Sequence, residues 1–435
     1  MQDNTANTTA NANNSPLGGS TIGGSNTSQN APQSCSVEDV NEWVRQSMLD
    51  YYLFYDRVDT NLQPTQYSTS ESYVKALRVQ PEDVFSYMVD EVAYNSFFNE
   101  GQSFGFGWNI TRESDNLVYF SLIDAGSPLD QQGVMRGDQL ISINQWSIDD
   151  FIALDSEQQT AILGSSGEAT TIELGIGKPL GTTEQVFVTS ASYPLQTVLD
   201  RQVIEHTGLR IGYLSLYAFI STTSSELDSA FAWFASQNVD EMVLDLRFNG
   251  GGRVSVANEL ASYLIGDDHT DEVFTTFAYN DKYRNNNVSL NFQDLDNALG
   301  LNRVFVLQTE QTCSASELIV NSLRAFIPVI TVGTSSCGKP YGTSPNSACQ
   351  KVLNALQIEL LNANNSGGYY NGIAADCPAV ENVHYALGSV SEPLFSTALD
   401  YITNGSCVSL ASRSSAPQNH EVLSLKKAWQ GGNHF

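Results

Sequence analysis

Residues 36–98 carry apolar side chains at helical spacing, which predicts a helical N-terminal region at 35–99. The first helix opens at Ser36, a residue type that caps helix N-termini, and acidic residues follow in its first turn. A second helix is expected over 80–98, with Pro81 at its start, because proline is tolerated at the first helical position.

Residues 100–195 change to a pattern of short strands separated by turns. Strands are predicted at 116–123, 169–176 and 184–191, and a short helix, a turn and another strand are predicted in 127–145. The segment is therefore expected to be a small β-rich domain.

From about residue 208, strands and helices alternate along the chain. Strands are predicted at 210–219, 242–247, 303–309 and 329–333, and helices from Thr223, at 254–264 and at 314–326. Thr223 and Glu226 have the spacing of a capping box. Such alternation implies a largely parallel sheet covered by helices, in which sites form at the carboxyl ends of the strands.

The length of the chain indicates how many domains it can contain. The chain has 435 residues, enough for roughly two to four domains. The expected division is a disordered linker at 1–34, the helical region at 35–99, the β-rich domain at 100–195, an α/β domain at 196–412 and a tail at 413–435. The fold class is therefore α/β and multi-domain.

The charge balance excludes two classes of partner. The sequence has 48 acidic and 20 basic residues, a formal net charge of -28. Nucleic acids and anionic membrane surfaces are bound through clusters of Lys and Arg, and the sequence shows no such cluster. No apolar run reaches the length of about 18 residues that a membrane span needs, so no transmembrane segment is expected.

The first residues and the cysteines indicate export. Residues 1–34 are rich in Asn, Thr, Ser and Gly, as in a flexible tether behind a removed signal; the alternative is a cytosolic protein with a disordered tail. The six cysteines include no CxxC pair, and an oxidising compartment with one or two disulfides accounts for them best. Cys337–Cys349 and Cys377–Cys407 are the preferred pairs, with the connectivity left open. We expect a periplasmic protein, either free or held by a lipid anchor that was lost with the signal.

Two strand ends carry residues suited to acyl-transfer chemistry. The strand at 242–247 is followed by Phe248–Gly252, whose three glycines let backbone N–H groups face a developing negative charge. The strand at 303–309 is followed by Ser314, which opens the next helix and could act as a nucleophile beside N–H groups that form an oxyanion hole. The simpler interpretation of these residues is a helix cap and a tight turn.

A hydroxyl nucleophile needs a base, and Lys339 is the candidate. Gly338 and Lys339 follow the strand at 329–333, so three strand ends would converge at one edge of the sheet. None of the five histidines stands in such a position. Burial can lower the pKa of a lysine until the amine is neutral, although most lysines are solvated surface charges.

Residues 211–343 resemble the carboxyl-terminal processing peptidases, also called tail-specific proteases, which are serine enzymes with a Ser–Lys dyad. The matching motifs are Leu244–Gly252 for LDLRxNxGG, Ser314–Glu317 for SASE and Gly338–Lys339 for GK, with the serine and the lysine 25 positions apart. The resemblance implies that 196–412 is a catalytic domain of the crotonase-like type.

The resemblance also assigns roles to single residues. Ser314 would attack the scissile carbonyl and neutral Lys339 would take its proton, while the N–H groups of Ala315 and Gly251 would hold the oxyanion. The expected activity is that of a serine endopeptidase on protein or peptide substrates, with no metal and no cofactor. The alternatives are a catalytically weak relative that binds peptides or lipids, and a hydrolase of another ester or amide.

Residues 101–190 resemble the PDZ domain that such peptidases carry. Gly105, Phe106 and Gly107 match the loop and strand that line the peptide groove, and Ser127-Pro128 and Gly133–Asp138 match a later segment. The resemblance implies that Gly105, Phe106 and Gly107 bind substrate, with an extended peptide pairing to an edge strand.

The sequence departs from the family at the residue thought to orient the lysine. Many members have a glutamine four positions after the lysine, where this chain has Thr343. Glu317, one helical turn after Ser314, is the substitute candidate. Cys313 is expected to be buried or disulfide-bonded, with a cysteine nucleophile as the alternative. Three further residues are interpreted as structural: Asp245 and Arg247 as a pair at a strand end, and Asp376 in a turn.

Overall fold

The computed structural model describes residues 31–113, 115–165, 167–407 and 421–423. Most of the linker predicted at 1–34 and of the tail predicted at 413–435 lies outside the described residues. The α-helices are α1 Val37–Asp50, α2 Ser70–Leu77, α3 Glu91–Phe98, α4 Ile148–Ile152, α5 Ser156–Leu163, α6 Thr223–Ser236, α7 Val254–Ile265, α8 Ala315–Leu323 and α9 Pro393–Asn404. Within the described ranges, no helix has both the length and the hydrophobicity to cross a membrane.

The strands run through the whole described chain. They are β1 Tyr87–Asp90, β2 Gln102–Gly105, β3 Trp108–Arg112, β4 Val118–Ile123, β5 Gln139–Ile143, β6 Trp146–Ser147, β7 Thr171–Gly177, β8 Thr183–Thr189, β9 Ala191–Pro194, β10 Val198–His206, β11 Leu209–Leu216, β12 Glu241–Asp245, β13 Val273–Tyr279, β14 Val288–Asn291, β15 Val304–Gln308, β16 Val329–Gly333, β17 Tyr341–Thr343, β18 Asn346–Ala348, β19 Lys351–Asn354, β20 Leu356–Leu361, β21 Cys377–Pro378 and β22 Glu421–Leu423.

A six-stranded central sheet has the order β10-β11-β12-β15-β16-β21. From β11 to β21 every neighbouring pair is parallel, whereas β10 pairs antiparallel with β11. The prediction of an α/β fold with a largely parallel sheet is confirmed. Because β12, β15 and β16 point the same way, their carboxyl ends lie at one edge of the sheet.

Alternate residues of the central strands pack into two separate cores. Met242 and Leu244 of β12 join a core with α6, α7 and α8, whereas Val243 belongs to a second core with α9. Helices therefore cover both faces of the sheet, which explains why these strand sequences are continuous apolar runs.

The segment from residue 102 to residue 194 forms a unit of its own, which we call the β unit. Its main sheet has the order β22-β3-β4-β5-β7-β8, with β6 on β5, and β2 pairs with β9 beside it. The strands predicted at 116–123, 169–176 and 184–191 correspond to β4, β7 and β8. β22 comes from the far end of the chain and had no signal in the sequence.

The helix predicted over 80–98 is wrong in its first half. This stretch holds a turn and then β1, which pairs with β19, and only its second half is helical, in α3. Asp83 accepts hydrogen bonds from the N–H groups of Phe85 and Ser86 and closes the turn. The apolar residues of β1 are buried, so strand pairing outweighs helix propensity here.

The capping box predicted from Thr223 and Glu226 does not form, although α6 begins at Thr223. The Glu226 carboxylate accepts instead from the N–H groups of Thr197 and Val198, at the start of β10. The Thr223 hydroxyl donates to the Ala218 carbonyl. Glu226 therefore contacts a segment that is distant in sequence, and Thr223 contacts a residue shortly before the helix.

The described residues contain the disulfides Cys35–Cys349, Cys313–Cys337 and Cys377–Cys407. The predicted pair Cys377–Cys407 is confirmed. The predicted pair Cys337–Cys349 is wrong, because the segment after β16 brings Cys337 beside Cys313 at the start of α8, while Cys349 meets the N-terminal Cys35.

The N-terminal helices pack beside the strand ends of the central sheet. Met48 of α1 and Tyr73 of α2 share an apolar core with Cys313 and Tyr341. Cys313 directly precedes Ser314, and Tyr341 follows Lys339 by two positions. The helical region therefore closes over the segments that carry the predicted site.

Candidate active site

The three strand ends singled out in the sequence meet at one edge of the central sheet. β12 leads into the glycine loop 248–252, β15 into the segment before Ser314, and β16 into the segment before Lys339. β12 and β16 both pair in parallel with β15. The fold therefore brings together the residues that the sequence placed 25 positions or more apart.

Ser314 has a backbone conformation that a simple helix cap does not need. It stands directly before α8 with φ 57° and ψ -114°, whereas capping residues normally have an extended backbone. Such a conformation costs a residue with a side chain about 1–3 kcal/mol, and strain of this kind is common at nucleophiles and ligand clamps. Ser314 is half-buried, so a substrate can reach it.

The carboxylate of Glu317 ties the serine segment to the lysine segment. Its side chain is fully buried, and Oε2 accepts from the backbone N–H of Ser314 at 2.9 Å and of Lys339 at 2.8 Å. Oε1 accepts from the Gly338 N–H at 2.8 Å and from the Ser336 hydroxyl at 2.6 Å. Burial raises the pKa of Glu317, and these four hydrogen bonds oppose the rise.

A disulfide joins the same two segments covalently. Cys313, the residue before Ser314, is bonded to Cys337, two positions before Lys339, with the Cα atoms 5.2 Å apart. Cys313 is almost fully buried, as expected. A cysteine nucleophile at this position is excluded in the oxidised protein because the sulfur carries no thiolate.

Lys339 lies in a desolvated position. The residue is 8% exposed, and its Nζ lies 5.4 Å from the centre of the Phe85 ring. Burial lowers the pKa of Lys339 to about 8, against smaller opposing effects from the charges of Asp83 and Glu317. Near pH 8 about half of the amines are therefore neutral.

Ser314 and Lys339 are linked by hydrogen bonds from their backbone N–H groups to Glu317 rather than by a hydrogen bond between their side chains. Within the described residues, no hydrogen bond links the Lys339 amine to the Ser314 hydroxyl or to the Glu317 carboxylate. Catalytic hydrogen bonds are often long in unliganded enzymes and shorten when substrate binds. The orienting role expected of Glu317 therefore reaches Lys339 through its backbone N–H.

Gly251 lies against the serine segment, but its N–H is already used. A side chain at Gly251, which has φ 105°, would place a Cβ 2.8 Å from Ser314 Cβ and 3.1 Å from the Ala315 nitrogen. Only glycine fits this contact. The Gly251 N–H donates to Asn249 Oδ1 at 2.9 Å, so in this conformation it is not free to hold an oxyanion.

Ala315 stands in the first turn of α8, whose initial N–H groups have no partner inside the helix. The Ala315 nitrogen is beside Ser314 and faces the glycine loop. A helix N-terminus also carries partial positive charge. The position therefore suits a donor to a negative oxygen bound at Ser314.

The buried Arg247 belongs to the scaffold beneath the site. Its guanidinium pairs with Asp245 at 2.8 Å and with Glu392 at 2.9 Å, and Glu381 lies at 3.4 Å. The pair of Asp245 and Arg247 predicted at the end of β12 is present and is extended by two further carboxylates. Asp376 accepts from the Thr331 N–H, which ties β21 to β16.

The residues predicted to bind substrate belong to the β unit. Gly105 ends β2, and Phe106 and Gly107 connect it to β3. Phe106 is buried in the core of the β unit, and a side chain at Gly107 would collide with Ser127. These residues are not part of the sheet that carries Ser314 and Lys339, and their role stays a prediction.

Sequence reasoning missed four side chains that shape the site: Asp83, Phe85, Asn249 and Ser336. Asp83 and Phe85 come from a turn more than 200 positions before Lys339, and no local pattern marks them. Ser336 could have been considered, since it lies three positions before Lys339. One group of possible metal ligands occurs in the described residues, Cys313, Glu317 and Cys337, but both sulfurs are in a disulfide and cannot bind a metal as thiolates.

Comparison with known proteins agrees with this arrangement. The sequence family described as Peptidase family S41 matches residues 210–378, and the one described as Peptidase S41 N-terminal domain matches residues 39–87. The first match contains β12, β15, β16 and β21 of the central sheet together with Ser314 and Lys339. The second contains most of α1, all of α2 and the turn at Asp83.

Curated relatives point to the same family. Carboxyl-terminal-processing peptidase 3, chloroplastic, of Arabidopsis thaliana is 28% identical over 319 residues, which cover 68% of this chain and 59% of the relative. The carboxyl-terminal-processing protease of a Picosynechococcus species is 26% identical, over 67% of this chain and 68% of the relative. Carboxy-terminal processing protease CtpB of Bacillus subtilis is 24% identical, over 62% and 54%. The chain therefore spans between about half and two thirds of the length of these relatives.

Solved structures share the fold. A Bacteroides fragilis protein assigned as an S41 protease has a TM-score of 0.67 at 24% identity, over 83% of this chain and 97% of its own. The photosystem II D1 C-terminal processing protease has a TM-score of 0.50 at 16% identity, over 80% and 94%. Fold and family matches together define the scaffold of a serine-type peptidase. The chain belongs to peptidase family S41, with the carboxyl-terminal processing peptidases, and the resemblance of residues 211–343 to this family is confirmed.

Proposed function

We propose that this chain is a serine endopeptidase that hydrolyses peptide bonds in protein or peptide substrates through a dyad of Ser314 and Lys339. The observation that carries the proposal is the single Glu317 oxygen that binds the backbone N–H groups of both residues. The burial of Lys339 and the membership of family S41 support it.

In the first step, neutral Lys339 takes the proton of Ser314 Oγ while Oγ bonds to the scissile carbonyl carbon. An ordinary lysine, with a pKa of about 10.4, would be almost fully protonated at pH 7 and could not act as a base. The lowered pKa of about 8 leaves a usable neutral fraction of Lys339.

The carbonyl oxygen becomes negative as Oγ attacks, and it needs hydrogen-bond donors. We assign the Ala315 N–H as the first donor, because it lies at the N-terminus of α8 beside Ser314. The Gly251 N–H is the second donor once it exchanges Asn249 Oδ1 for the oxyanion. In the resting state Asn249 keeps this N–H satisfied.

The tetrahedral intermediate then collapses, the C–N bond breaks, and the leaving amine takes the proton from Lys339. Water attacks the acyl-enzyme, gives a proton to Lys339, and forms the free carboxyl group. Ser314 Oγ leaves and recovers its proton from Lys339, which restores the starting state.

The remaining units support substrate handling. We assign 196–412 as the catalytic domain and 100–195 as a PDZ-like domain, with the loop at Gly105, Phe106 and Gly107 as part of its peptide groove. Strand β3 follows this loop directly and on its outer side pairs only with the three-residue strand β22, and an extended peptide can bind by pairing with such a strand.

The location proposed is outside the reducing cytosol. All six cysteines are paired in disulfides, and such bonds form and persist in oxidising compartments. An exported protein, periplasmic and either free or tethered through a lipid anchor, agrees with this chemistry.

A fluorophosphonate probe tests the function directly. Treated with the probe at pH 8, the protein should gain one covalent adduct, located on Ser314 by mass spectrometry of its peptides. Ser314→Ala should gain none and should no longer cleave an unstructured protein. Ser316→Ala, at the other serine of the same turn, is the matched control for labelling at the wrong hydroxyl. An adduct on another residue, or proteolysis by Ser314→Ala, would refute the assignment.

A further inference from the structure

The edge of the β unit is covered by a strand from the other end of the chain. β22 pairs antiparallel with β3 and is the end strand of the sheet. The register places Glu421 opposite Arg112, Val422 opposite Thr111 and Leu423 opposite Ile110. The tail therefore adds one short strand to an edge that would otherwise be open.

The direction of this strand is that of a bound peptide approaching the loop at Gly105–Gly107. Along β22 the partners advance from Arg112 to Ile110, toward the start of β3, and β3 begins directly after Gly107. An extended peptide that binds by strand addition uses the same backbone groups. The tail and an incoming peptide therefore compete for one edge.

Leu423 is the apolar anchor of the tail strand. It is half-buried and packs against the core of the β unit, to which its partner Ile110 also belongs. Three residues of backbone pairing alone give little net stability, and one partly buried leucine side chain adds a single apolar contact. The contact is therefore weak enough to be displaced.

A disulfide attaches the start of the tail to the central sheet. Cys407 is bonded to Cys377 of β21, so the tail leaves the central sheet from a fixed point. Residues 408–420 join this point to β22. Attachment through a short connecting segment gives a tethered strand an effective concentration in the range of about 1 mM, enough to keep a weak site occupied.

We propose that the β3 edge is a peptide-binding edge and that residues 421–423 of the same chain are its resting occupant. A protein segment in extended conformation, with an apolar residue in the place of Leu423, must displace the tail to bind. The proposal rests on the proposed function in one respect, because it takes the incoming segment to be a substrate. The tail then weakens the binding of short or polar segments by competing with them. Segments with an apolar residue in the place of Leu423 displace the tail and bind.

The test uses the full chain with Ser314→Ala, so that no peptide is cleaved. Leu423→Asp is compared with the control Leu180→Asp, which makes the same change at a leucine that is 95% exposed in the same unit. The probe is a fluorescein-labelled synthetic peptide with the sequence of residues 417–427, followed by polarisation. Amide hydrogen exchange of residues 108–112 is measured in parallel.

Leu423→Asp should tighten binding of the peptide about tenfold, because the tethered competitor is lost. It should also speed the exchange of amides in β3, whereas Leu180→Asp should behave as its parent in both measurements. Val422→Pro provides a second variant, since it removes a backbone N–H from β22 and leaves Leu423 in place.

Equal peptide affinity in the parent and in both tail variants would overturn the proposal, and so would absence of binding in all of them. Unchanged exchange in residues 108–112 would show that the tail does not occupy the edge. These measurements do not depend on catalysis. Failure of Ser314 to react with the fluorophosphonate probe would overturn the proposed function and leave this result standing.

Discussion

Two sheet edges of this molecule are built in opposite ways. At the carboxyl edge of the central sheet, a fully buried carboxylate, a disulfide and a tightly packed glycine loop hold the Ser314 and Lys339 segments together. At the β3 edge of the β unit, three residues of the tail form the contact, and one of them, Leu423, packs against the core of the β unit. The first edge keeps a fixed geometry. If the two proposals hold, the second edge exchanges its partner, and separate parts of the chain control chemistry and access.

The largest effect is expected from removing the base at the fixed edge. Lys339→Arg keeps the charge, but a guanidinium stays protonated at any working pH, so the rate should fall by about 10²–10⁴-fold. The measurement is kcat/KM for cleavage of an unstructured protein. Lys351→Arg, which retains an ion pair with Glu71 at the surface, should keep full activity. Parental activity in Lys339→Arg would exclude lysine as the base.

The burial of Lys339 should lower the free energy of unfolding of the protein. The pKa of Lys339 is lowered to about 8 in the folded protein. Between that pH and about 10.4 the unfolded chain binds a proton that the folded chain does not, so stability rises with pH there and the full cost is present below pH 8.

Lys339→Met removes this cost and should raise the free energy of unfolding by roughly 2–3 kcal/mol at pH 7, measured by urea unfolding. Lys351→Met, at an exposed ion pair, should change it by less than about 1 kcal/mol. Destabilisation by Lys339→Met would mean that burial does not lower the pKa of Lys339.

A smaller effect is expected from Glu317→Gln, which loosens the link between the two segments. The amide offers one acceptor oxygen in place of two, and its NH₂ group faces backbone donors, so kcat should fall about tenfold to a hundredfold. The loss of negative charge should also shift the activity profile to lower pH, because that charge raises the pKa of Lys339. The control is Glu310→Gln, at an exposed glutamate in the segment between β15 and α8. An unchanged pH profile would contradict the placement of Glu317 beside Lys339.

The smallest effect on activity is expected from the disulfide at the fixed edge. The double variant Cys313→Ser and Cys337→Ser should lower kcat about three- to tenfold, because the Glu317 contacts remain and restrain the same segments. Cys377→Ser with Cys407→Ser opens a loop of similar length, 30 against 24 positions, and should lose stability without loss of kcat. Equal loss of kcat in both double variants would show that the Cys313 bond has no special relation to the dyad.

The sequence was most informative where function depends on local pattern. The apolar runs and the turns between them predicted the parallel sheet, and the motifs at three strand ends predicted that Ser314 and Lys339 lie at one edge of it. Both inferences hold because strand direction follows from the alternation of strands and helices.

Contacts between distant segments could not be predicted. Phe85 and Asp83 reach Lys339 from the turn before β1, and Cys35 pairs with Cys349 across most of the chain. β22 has no mark in the sequence that would pair it with β3. The occupied N–H of Gly251 depends on the rotamer of Asn249, which no spacing rule describes. Such details depend on packing rather than on local propensity.

The pH dependence of Ser314 labelling tests the dyad most directly, because it reports the proton acceptor without substrate binding or product release. The rate of fluorophosphonate labelling is measured from pH 6 to 10 in the parent and in Lys339→Arg. We expect the parental rate to rise with a midpoint near the Lys339 pKa of about 8 and to level off above it, and we expect Lys339→Arg to react at no more than the background rate. A rate that is flat from pH 6 to 9, or a midpoint near the value of about 10.4 for a free lysine, would contradict the mechanism.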